Sequence, residues 1–304
     1  MLGWLRASAP EARLEVVGLS TEGDERRDVP LSQLGGTGAF VKRIERSLLE
    51  RGIDLAVHSL KDVPTQLDDG LELAAVPERG DPRDALVLPA RSDRAGAVHG
   101  QPDPLEALPH GARVGTGSAR RAAQLLRLRP DLELREVRGN VDTRLRKLDA
   151  GELDALVLAA AGLERLGLAH RISRRLEPDE LTPMVGQGAL ALEARADDRE
   201  AVALAARIDH RPTRVCVEAE RAFLRRLGGG CALPVGALAT VEGDELFLRV
   251  VLADADGRQV ERRAGRARLD DGLALAVELA DQALAALPSA AGLAGAAGER
   301  SVRQ

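Results

Sequence analysis

A single cysteine on a glycine-rich stretch is the first residue of this chain whose type and surroundings suggest chemistry. Cys231 lies in "RRLGGGCALPVG", residues 225–236, and is one of only 2 cysteines among 304 residues. Three consecutive glycines are predicted to end a helix, because each costs about 1 kcal/mol relative to alanine inside one. The thiol is therefore expected on a loop, where two interpretations remain open: a small apolar side chain packed under the loop, or a covalent attachment point.

A carboxylate at the end of a predicted strand is the second candidate. Asp62 follows the apolar run "DLAVHSL" and precedes a Val-Pro pair that ends the strand. Lys61 favours the ionised carboxylate if both side chains approach one site, although neighbouring residues of a strand face opposite ways. The stretch "SLKDVP" also fits an ordinary turn, so a catalytic and a purely structural interpretation both remain open here.

A basic region supplies the third group of candidates. From Arg113 to Lys147 there are 10 Arg or Lys residues and 4 Asp or Glu residues, in a chain whose formal net charge is -5. Within it, "VGTGSARRAAQLLRL" predicts a strand, a turn and a helix start, whose free backbone N–H groups favour anions. The neighbouring side chains that can bind an anion there are Thr116, Ser118, Arg120 and Arg121.

A second basic turn follows in "VRGNVDTRLRKL". Arg138 is predicted at a strand end and Arg144 one helical turn into the next element, so both side chains can point into one cleft. Strand-to-helix turns form the crevice in which open α/β sheets bind ligands, and the expected ligand carries several carboxylates or phosphates. A solvated helix face is the simpler interpretation for the remaining cations, which are Arg127, Arg129, Arg146 and Lys147.

Alternating strand and helix patterns must position these residues. The runs "LEVVGLS", "DLAVHSL", "ARVGTG", "LELREV" and "LDALVLAA" predict strands, with helices such as "FVKRIERSLLERG" between them. This alternation is typical of α/β units with parallel or mixed sheets. After it, "VGALATVEG", "ELFLRVVLAD" and "RQVERRAGRA" predict a small antiparallel sheet, covered by a helix through "LALAVELADQALAAL".

Composition narrows the class of protein. With 3 Phe, 1 Trp and no Tyr, the core must be aliphatic, and the aromatic platforms of single-stranded nucleic-acid binders are missing. Nucleic acid is therefore not an expected partner. Two cysteines are too few for a disulfide framework, and Cys216 is predicted to be buried in a helix. Neither an apolar run long enough to span a membrane nor a metal-ligand spacing is found, so we expect a cytoplasmic protein without a metal.

These motifs together resemble the hydroxymethylbilane synthase family, also called porphobilinogen deaminase. "DLAVHSLKDVPTQ", "GDPRDALV", "VGTGSARRAAQL", "LREVRGNVDTRLRKLDAGELDALVLAAAGLERLGL", "VGQGALALEAR" and "GGGCALPVGA" stand in the family's order. The resemblance implies two domains with type II periplasmic-binding-protein-like topology and a C-terminal α+β domain that carries a cofactor cysteine. The implied bounds are 1–86 with 188–208, 87–187 and 209–288, followed by a disordered tail at 289–304.

The resemblance also implies a reaction and a cofactor. Members of the family condense four porphobilinogen molecules head to tail on a covalent dipyrromethane primer, and they release hydroxymethylbilane and ammonia. The residue matching the attachment cysteine is Cys231, and Asp62 matches the catalytic aspartate, which stabilises positive charge on the electron-poor substrate. The expected partner is porphobilinogen, and the expected state is a monomer. The residues matching the other cofactor and substrate contacts are Ser59, Lys61, Thr116, Ser118, Arg120, Arg121, Arg138, Asn140, Arg144, Arg165 and Gln187.

The chain departs from the family's pattern in two places. "LSQLGGTGAFVK" has Gln33 and Thr37 where the family commonly has lysines, so charge contacts from that loop are not expected. The family's first strand, with an arginine and a serine for pyrrole carboxylates, has no counterpart here. Loss of an inner strand removes hydrogen-bond partners from its neighbours, so the resemblance implies lower stability and activity than in a chain extended upstream.

Two alternatives to the synthase remain open from the sequence: a non-catalytic two-lobed anion-binding protein and an inactive truncated homologue. A simple receptor needs neither a tethering thiol at Cys231 nor a carboxylate at Asp62 inside an anion site. A covalent two-pyrrole adduct on the protein would therefore distinguish the synthase from both alternatives.

Overall fold

The computed structural model describes residues 1–19, 38–90, 103–228, 234–254 and 257–290. Several residues singled out by the sequence therefore lie outside the described residues. They are Gln33 and Thr37 of the glycine-rich loop, Cys231, which is predicted to attach the cofactor, and residues 291–304 of the expected tail.

The chain divides into two compact units. One contains residues Met1–Arg79 and Ala189–Glu218, and the other contains Gly80–Gly188 and Ala219–Gln304. The three domains and their bounds remain a prediction from the sequence.

Strands and short helices alternate along the described chain, as the sequence predicts for an α/β protein. The strands are β1 (Leu55–Ser59), β2 (Leu71–Ala75), β3 (Asp84–Val87), β4 (Arg113–Gly115), β5 (Glu133–Arg135), β6 (Ala155–Ala159), β7 (Arg174–Leu176), β8 (Leu190–Arg195), β9 (Val235–Glu242), β10 (Glu245–Ala253) and β11 (Val260–Arg268). The α-helices are α1 (Leu2–Ser8), α2 (Gly38–Leu49), α3 (Ala119–Leu128), α4 (Val141–Asp149), α5 (Ala160–Arg165), α6 (Arg199–Ala206), α7 (Arg211–Arg226) and α8 (Gly272–Ala286). None of these described helices combines the length and the apolar character needed to cross a membrane.

The first unit contains a three-stranded antiparallel sheet with β8 between β1 and β2. Along β1 the side chains alternate, with Ala56 and His58 buried and Val57 and Ser59 exposed, as expected for a strand with one face toward a core. The next three residues, Leu60–Asp62, form a 3₁₀ turn. This sheet therefore places a buried histidine on β1, and the turn that follows β1 ends at the predicted catalytic aspartate.

The second unit contains a five-stranded mixed sheet in the order β5-β4-β6-β3-β7. Neighbouring pairs among β5, β4 and β6 are parallel, whereas β3 runs antiparallel to both β6 and β7. Successive residues of β3, Leu86 and Val87, enter separate apolar clusters, because both faces of the sheet are covered. The mixed α/β class that the sequence predicts is confirmed for this sheet.

The same unit also contains the predicted C-terminal antiparallel sheet, in the order β11-β10-β9. Helix α8 packs on this sheet, and its Leu275 lies directly over Gly265 of β11. A Cβ added to Gly265 would be only 2.7 Å from the Cδ1 atom of Leu275, so a larger residue does not fit at this position. The sequence patterns for these strands and for the covering helix are confirmed.

One strand prediction is wrong. The stretch "LEVVGLS" was expected to be a strand, but its described part, residues 14–19, has no regular secondary structure. Val16 and Val17 are 71% and 53% exposed. The alternation of apolar residues is suitable for a strand, yet the described three-stranded sheet of the first unit provides no hydrogen-bonding neighbour for this segment.

Candidate active site

Asp62 is fixed at the end of a buried strand. It closes the 3₁₀ turn that follows β1, and Leu60 and Val63 on either side of the turn are buried. The backbone N–H of Leu60 donates to the carbonyl oxygen of Ala189, 3.1 Å away. Since both neighbouring side chains are packed and the backbone of Leu60 is bonded, the backbone that carries the carboxylate is held in place.

Burial and neighbouring positive charges have opposite effects on the pKa of Asp62. The pKa of Asp62 is raised above its ordinary value, because burial outweighs the opposing effects of Lys61 and then His58. Because Lys61 and Asp62 lie in a 3₁₀ turn and not in a strand, the expectation that neighbours face opposite ways does not apply here. The turn thus places the partly desolvated carboxylate of Asp62 next to Lys61. Ser59, which is also a predicted contact, is exposed at the end of β1.

In the second unit, Arg120 and Arg121 at the start of α3 share one carboxylate, that of Asp84 on β3. Arg120 Nη1 lies 2.8 Å from Asp84 Oδ2, and Arg121 Nη2 lies 2.7 Å from Asp84 Oδ1. Both arginines also donate to carbonyl oxygens, Arg120 to Thr182 at 2.6 Å and Arg121 to Val157 at 3.0 Å. The two guanidinium groups are therefore held inside this unit by its own atoms.

The same carboxylate binds the predicted hinge residue. Gln187 Nε2 donates to Asp84 Oδ1 at 3.0 Å and to the Pro82 carbonyl oxygen at 2.7 Å. Although burial raises the pKa of Asp84, the charges of Arg120 and Arg121 lower it to about 2. Asp84 is accordingly an ionised group that joins α3, β3 and the segment around Gln187.

We expect Asp84→Asn to lower the free energy of unfolding of the second unit by about 3 to 5 kcal/mol, because it leaves two buried guanidinium groups without their carboxylate. The matched control is Glu133→Gln, which removes an exposed pair with Arg135 and should change stability by at most about 1 kcal/mol. Urea unfolding at pH 7 measures both. Similar small losses for the two variants would show that the Asp84 cluster is not a structural centre.

Three predicted polar contacts have structural roles at turns. Ser118 is the N-cap of α3, where its Oγ accepts from the N–H of Arg121 at 3.4 Å. Asn140 is the N-cap of α4, where its Oδ1 accepts from the N–H of Thr143 at 3.0 Å. Thr116 is buried, and its Oγ1 accepts from the N–H of Ser118 at 3.2 Å. These side chains order the two basic turns.

The remaining predicted cations are less buried than the Asp84 pair. Arg138 forms an exposed ion pair with Glu136. Arg144 donates to the Gly139 carbonyl oxygen at 2.8 Å, and burial followed by the charge of Arg121 lowers its pKa. The third, Arg165, donates to the Gly188 carbonyl oxygen at 2.6 Å, and burial lowers its pKa. Arg144 is therefore a partly buried cation of the second unit, and Arg165 is an exposed one that is held by a backbone carbonyl oxygen.

The positive charge of residues 113–147 is offset by two acidic groups from outside that range, Asp154 beside Arg113 and Asp84 beside Arg120 and Arg121. Arg129 departs from its predicted place on a solvated face: it pairs with Asp131 and donates to the carbonyl oxygens of Leu105 and Leu108. Two further pairs lie within the range, Arg135–Glu133 and Arg138–Glu136. Arg127 stays exposed as predicted.

The donor set fits an anionic group. Arg120 Nε is buried and has no hydrogen-bond partner among the described residues, and the charge of Arg121 acts on Arg144. Arg120 and Arg121 share the carboxylate of Asp84, while Arg144 donates to a backbone carbonyl oxygen, so positive charge remains for a ligand with carboxylates. No group of three possible metal ligands exists in the described ranges.

The residues that the sequence missed are acidic or titratable and buried. Asp84 stands in the quoted motif "GDPRDALV", yet it was given no role, and His58 and Glu193 form a buried pair that was not foreseen. A charged residue inside a run of apolar strand residues is the signal that could have identified each of them.

Six of the predicted site residues come together in two sets. Ser59, Lys61 and Asp62 lie at the end of β1 in the first unit. In the second unit, Arg120, Arg121 and Gln187 meet at Asp84. Cys231 falls outside the described residues.

Two family models match the chain. Residues 2–203 match the model described as "Porphobilinogen deaminase, dipyromethane cofactor binding domain", and residues 214–285 match "Porphobilinogen deaminase, C-terminal domain".

Similar proteins carry the same name. A porphobilinogen deaminase of Roseiflexus sp. (strain RS-1) is 52% identical over 280 residues, which cover 92% of this chain and 88% of the relative. A porphobilinogen deaminase of Brevibacillus brevis is 47% identical over 282 residues, which cover 92% and 87%. Among solved structures, the periplasmic VFT2 domain of Bordetella pertussis BvgS has a TM-score of 0.37 and 18% identity, covering 68% of this chain and 74% of that one.

The two models together span most of the chain, and the relatives match it at about half of its positions along almost its whole length. Identity of this extent between long sequences establishes common descent and a common fold. The chain belongs to the porphobilinogen deaminase family, the hydroxymethylbilane synthases of tetrapyrrole synthesis, whose cofactor is a dipyrromethane.

Proposed function

We propose that the hydroxymethylbilane synthase activity of this chain depends on Asp62 as its catalytic carboxylate. The observation that carries the proposal is the position of Asp62, a half-buried carboxylate in the turn that follows β1 and the neighbour of Lys61 in the chain. When ammonia leaves the aminomethyl group of porphobilinogen, positive charge develops on the pyrrole. A preorganised carboxylate in a partly dry site stabilises that charge far better than water does.

We assign the attachment of the cofactor to Cys231. The glycines before it allow a wide range of backbone conformations, and Cys216, the other cysteine of the chain, is buried in α7. The dipyrromethane, when bound, supplies the pyrrole terminus that the first substrate joins. Cys231 would hold it by a thioether, so that the growing product stays on the protein between condensations.

The arginines of the second unit would bind the acetate and propionate groups of the pyrroles. Arg120 and Arg121 are held by Asp84, so they contribute fixed charge and positioning more than flexible reach. Arg138, Arg144 and Arg165 are less buried, and we assign them direct contacts with the carboxylates. Charge-assisted bonds of this kind are typically about twice as strong as neutral hydrogen bonds.

A comparison within one helix tests the assignment of Arg144. We expect Arg144→Gln to raise KM for porphobilinogen or to slow elongation about tenfold or more, which corresponds to the loss of one charge-assisted contact of about 1.5 to 3 kcal/mol. Arg146→Gln, two residues further along α4 and exposed, should leave the kinetics within about twofold. Steady-state kinetics with porphobilinogen give both values. Equal losses would show that the general positive field, and not a contact of Arg144, binds the substrate.

We further propose that the protein acts as a cytoplasmic monomer, with porphobilinogen as its small-molecule partner and without nucleic acid or membrane. The few aromatic residues and the family's substrate support this assignment. Sedimentation of the purified protein would test the monomer.

Turnover of porphobilinogen by the purified chain tests the function as a whole. The synthase is expected to consume porphobilinogen, to release ammonia and to yield hydroxymethylbilane, which closes to a porphyrinogen that can be detected after oxidation. Saturable binding of porphobilinogen without ammonia release would instead support the non-catalytic anion-binding protein. If the chain shows no binding and no turnover of porphobilinogen, that result would support an inactive homologue.

A further inference from the structure

A buried glutamine joins two segments of the second unit that are distant in the chain. Gln124 of α3 is 2% exposed, and Thr182, which lies between β7 and β8, is 0% exposed. Gln124 Oε1 accepts from the backbone N–H of Thr182 at 2.8 Å, and Gln124 Nε2 donates to the Thr182 carbonyl oxygen at 3.1 Å. One side-chain amide thus satisfies both buried backbone groups of Thr182 and fixes this residue on α3.

The carbonyl oxygen of Thr182 has a second donor, the guanidinium group of Arg120. Arg120 Nη1 donates to this oxygen at 2.6 Å, and the same nitrogen lies 2.8 Å from Asp84 Oδ2. The ion pair with Asp84 supplies the opposite charge, and the hydrogen bond to a fixed carbonyl oxygen adds a direction. Because a guanidinium group is planar and rigid, a bond that fixes Nη1 also restricts the direction of the other donors.

One donor of Arg120 is left for a ligand. The side chain is 4% exposed, and its Nε is buried without a hydrogen-bond partner in the part of the chain that the structure describes. A buried N–H group without an acceptor is unfavourable. A ligand carboxylate that accepts from Nε would remove this cost, provided that the guanidinium plane is held in the right orientation.

The C-terminal sheet also holds Thr182. Arg262 of β11 donates from Nη2 to the Thr182 Oγ1 atom and to the Pro178 carbonyl oxygen, both at 3.2 Å. Gly236 of β9 lies so close that an added Cβ would be 2.7 Å from the carbonyl oxygens of both Thr182 and Pro183. The position of the Thr182 carbonyl oxygen is therefore defined by α3 together with two strands of this sheet.

We propose that Gln124 is a positioning residue of the synthase reaction: it fixes the backbone of Thr182, and the Thr182 carbonyl oxygen holds Arg120 in the orientation that binds a pyrrole carboxylate. The inference rests on the proposed function, in which Arg120 contributes its charge to the binding of the pyrrole carboxylates. It adds a residue that acts through Arg120 and not through a substrate contact of its own.

Steady-state kinetics of Gln124→Met test the inference. Methionine has nearly the same length as glutamine but forms neither bond to the Thr182 backbone. Arg120 then keeps its charge and loses its fixed direction, so KM for porphobilinogen should rise about five- to tenfold. A carboxylate contact is made in the ground state and the transition state alike, so kcat per cofactor-loaded protein should stay within about threefold.

Gly236→Ala is a second and independent variant. Its added Cβ would be 2.7 Å from the Thr182 carbonyl oxygen, so the backbone of Thr182 must move although Gln124 is intact. The same rise in KM with a nearly constant kcat is expected. If Gln124→Met does not fold, Gly236→Ala carries the test.

Ser173→Ala is the matched structural control. Ser173 Oγ accepts from the backbone N–H of Leu88 at 3.1 Å, and both residues are buried in the second unit. This variant also leaves a buried backbone N–H without its side-chain acceptor, so it should lower the melting temperature to a similar extent as Gln124→Met. Its KM should stay within about twofold of the wild type, because the changed contact does not involve Arg120.

The Nε–H signal of Arg120 gives a readout that does not depend on turnover. In ¹⁵N NMR spectra of the enzyme with its cofactor, a buried and fixed guanidinium group should give a sharp Nε–H signal that exchanges slowly with water. Arg120→Lys identifies this signal by its loss. Gln124→Met should broaden it or speed its exchange about tenfold or more, whereas Ser173→Ala should leave it unchanged.

The outcomes separate this inference from the proposed function. A wild-type KM in Gln124→Met, or a rise no larger than in Ser173→Ala, would overturn the inference alone if Arg120→Gln raises KM. An effect of Gln124→Met that persists in full in the Arg120→Gln background would also overturn it, since the glutamine would then act without Arg120. A wild-type KM in Arg120→Gln would instead remove the proposed role of Arg120, and the positioning role would fail with it.

Discussion

Cys231→Ser is expected to abolish both the covalent cofactor and the turnover of porphobilinogen. A serine hydroxyl at this position is a far weaker nucleophile than a thiolate at neutral pH, so no thioether can form and no product can be tethered. Ammonia release from porphobilinogen should fall to the level of the uncatalysed reaction. Peptide mapping after proteolysis would locate the adduct in the wild-type protein, on the peptide that contains Cys231.

The control is the other cysteine. Cys216 is buried in α7, and Cys216→Ser should retain the adduct and most of the activity, with at most a modest loss of stability from a polar atom in the core. If the adduct maps to Cys216, or if Cys231→Ser still assembles the tetrapyrrole, the attachment site is not Cys231.

Asp62→Asn should reduce the rate of elongation by about 10²- to 10³-fold, the usual loss when one preorganised electrostatic group is removed from a site. The asparagine is nearly isosteric, so folding should be preserved. Single-turnover kinetics of the enzyme with its cofactor measure the chemical step directly. Asp69→Asn, at an exposed carboxylate before β2 in the same unit, is the matched control and should have a wild-type rate. A small effect of Asp62→Asn would assign the stabilisation of positive charge to another group.

Local features of the site could be predicted from the sequence. The strand before Asp62 forms, but β1 already ends at Ser59, and a 3₁₀ turn through Asp62 separates it from the Val-Pro pair that was expected to end it. The basic turns also form as predicted, since Ser118 and Asn140 cap the helices that follow them. Both predictions depend on residues that are neighbours in the chain.

Features that depend on distant residues could not be predicted. Arg121 and Asp84 are 37 residues apart, and His58 and Glu193 are 135 residues apart. No local pattern specifies such pairs, so the role of Asp84 and the buried pair were missed. The same reason explains "LEVVGLS", whose alternating apolar residues favour a strand although strand formation depends on a neighbour elsewhere in the chain.

The most direct test of the account is the mass of the intact protein before and after brief exposure to porphobilinogen. The account predicts a purified protein heavier than its sequence by two condensed pyrrole units on Cys231. Brief exposure should then add a ladder of species, each heavier by one porphobilinogen minus ammonia, up to four further units. A protein at the mass of its sequence that gains no such increments would contradict the claim that this chain builds hydroxymethylbilane on a covalent dipyrromethane.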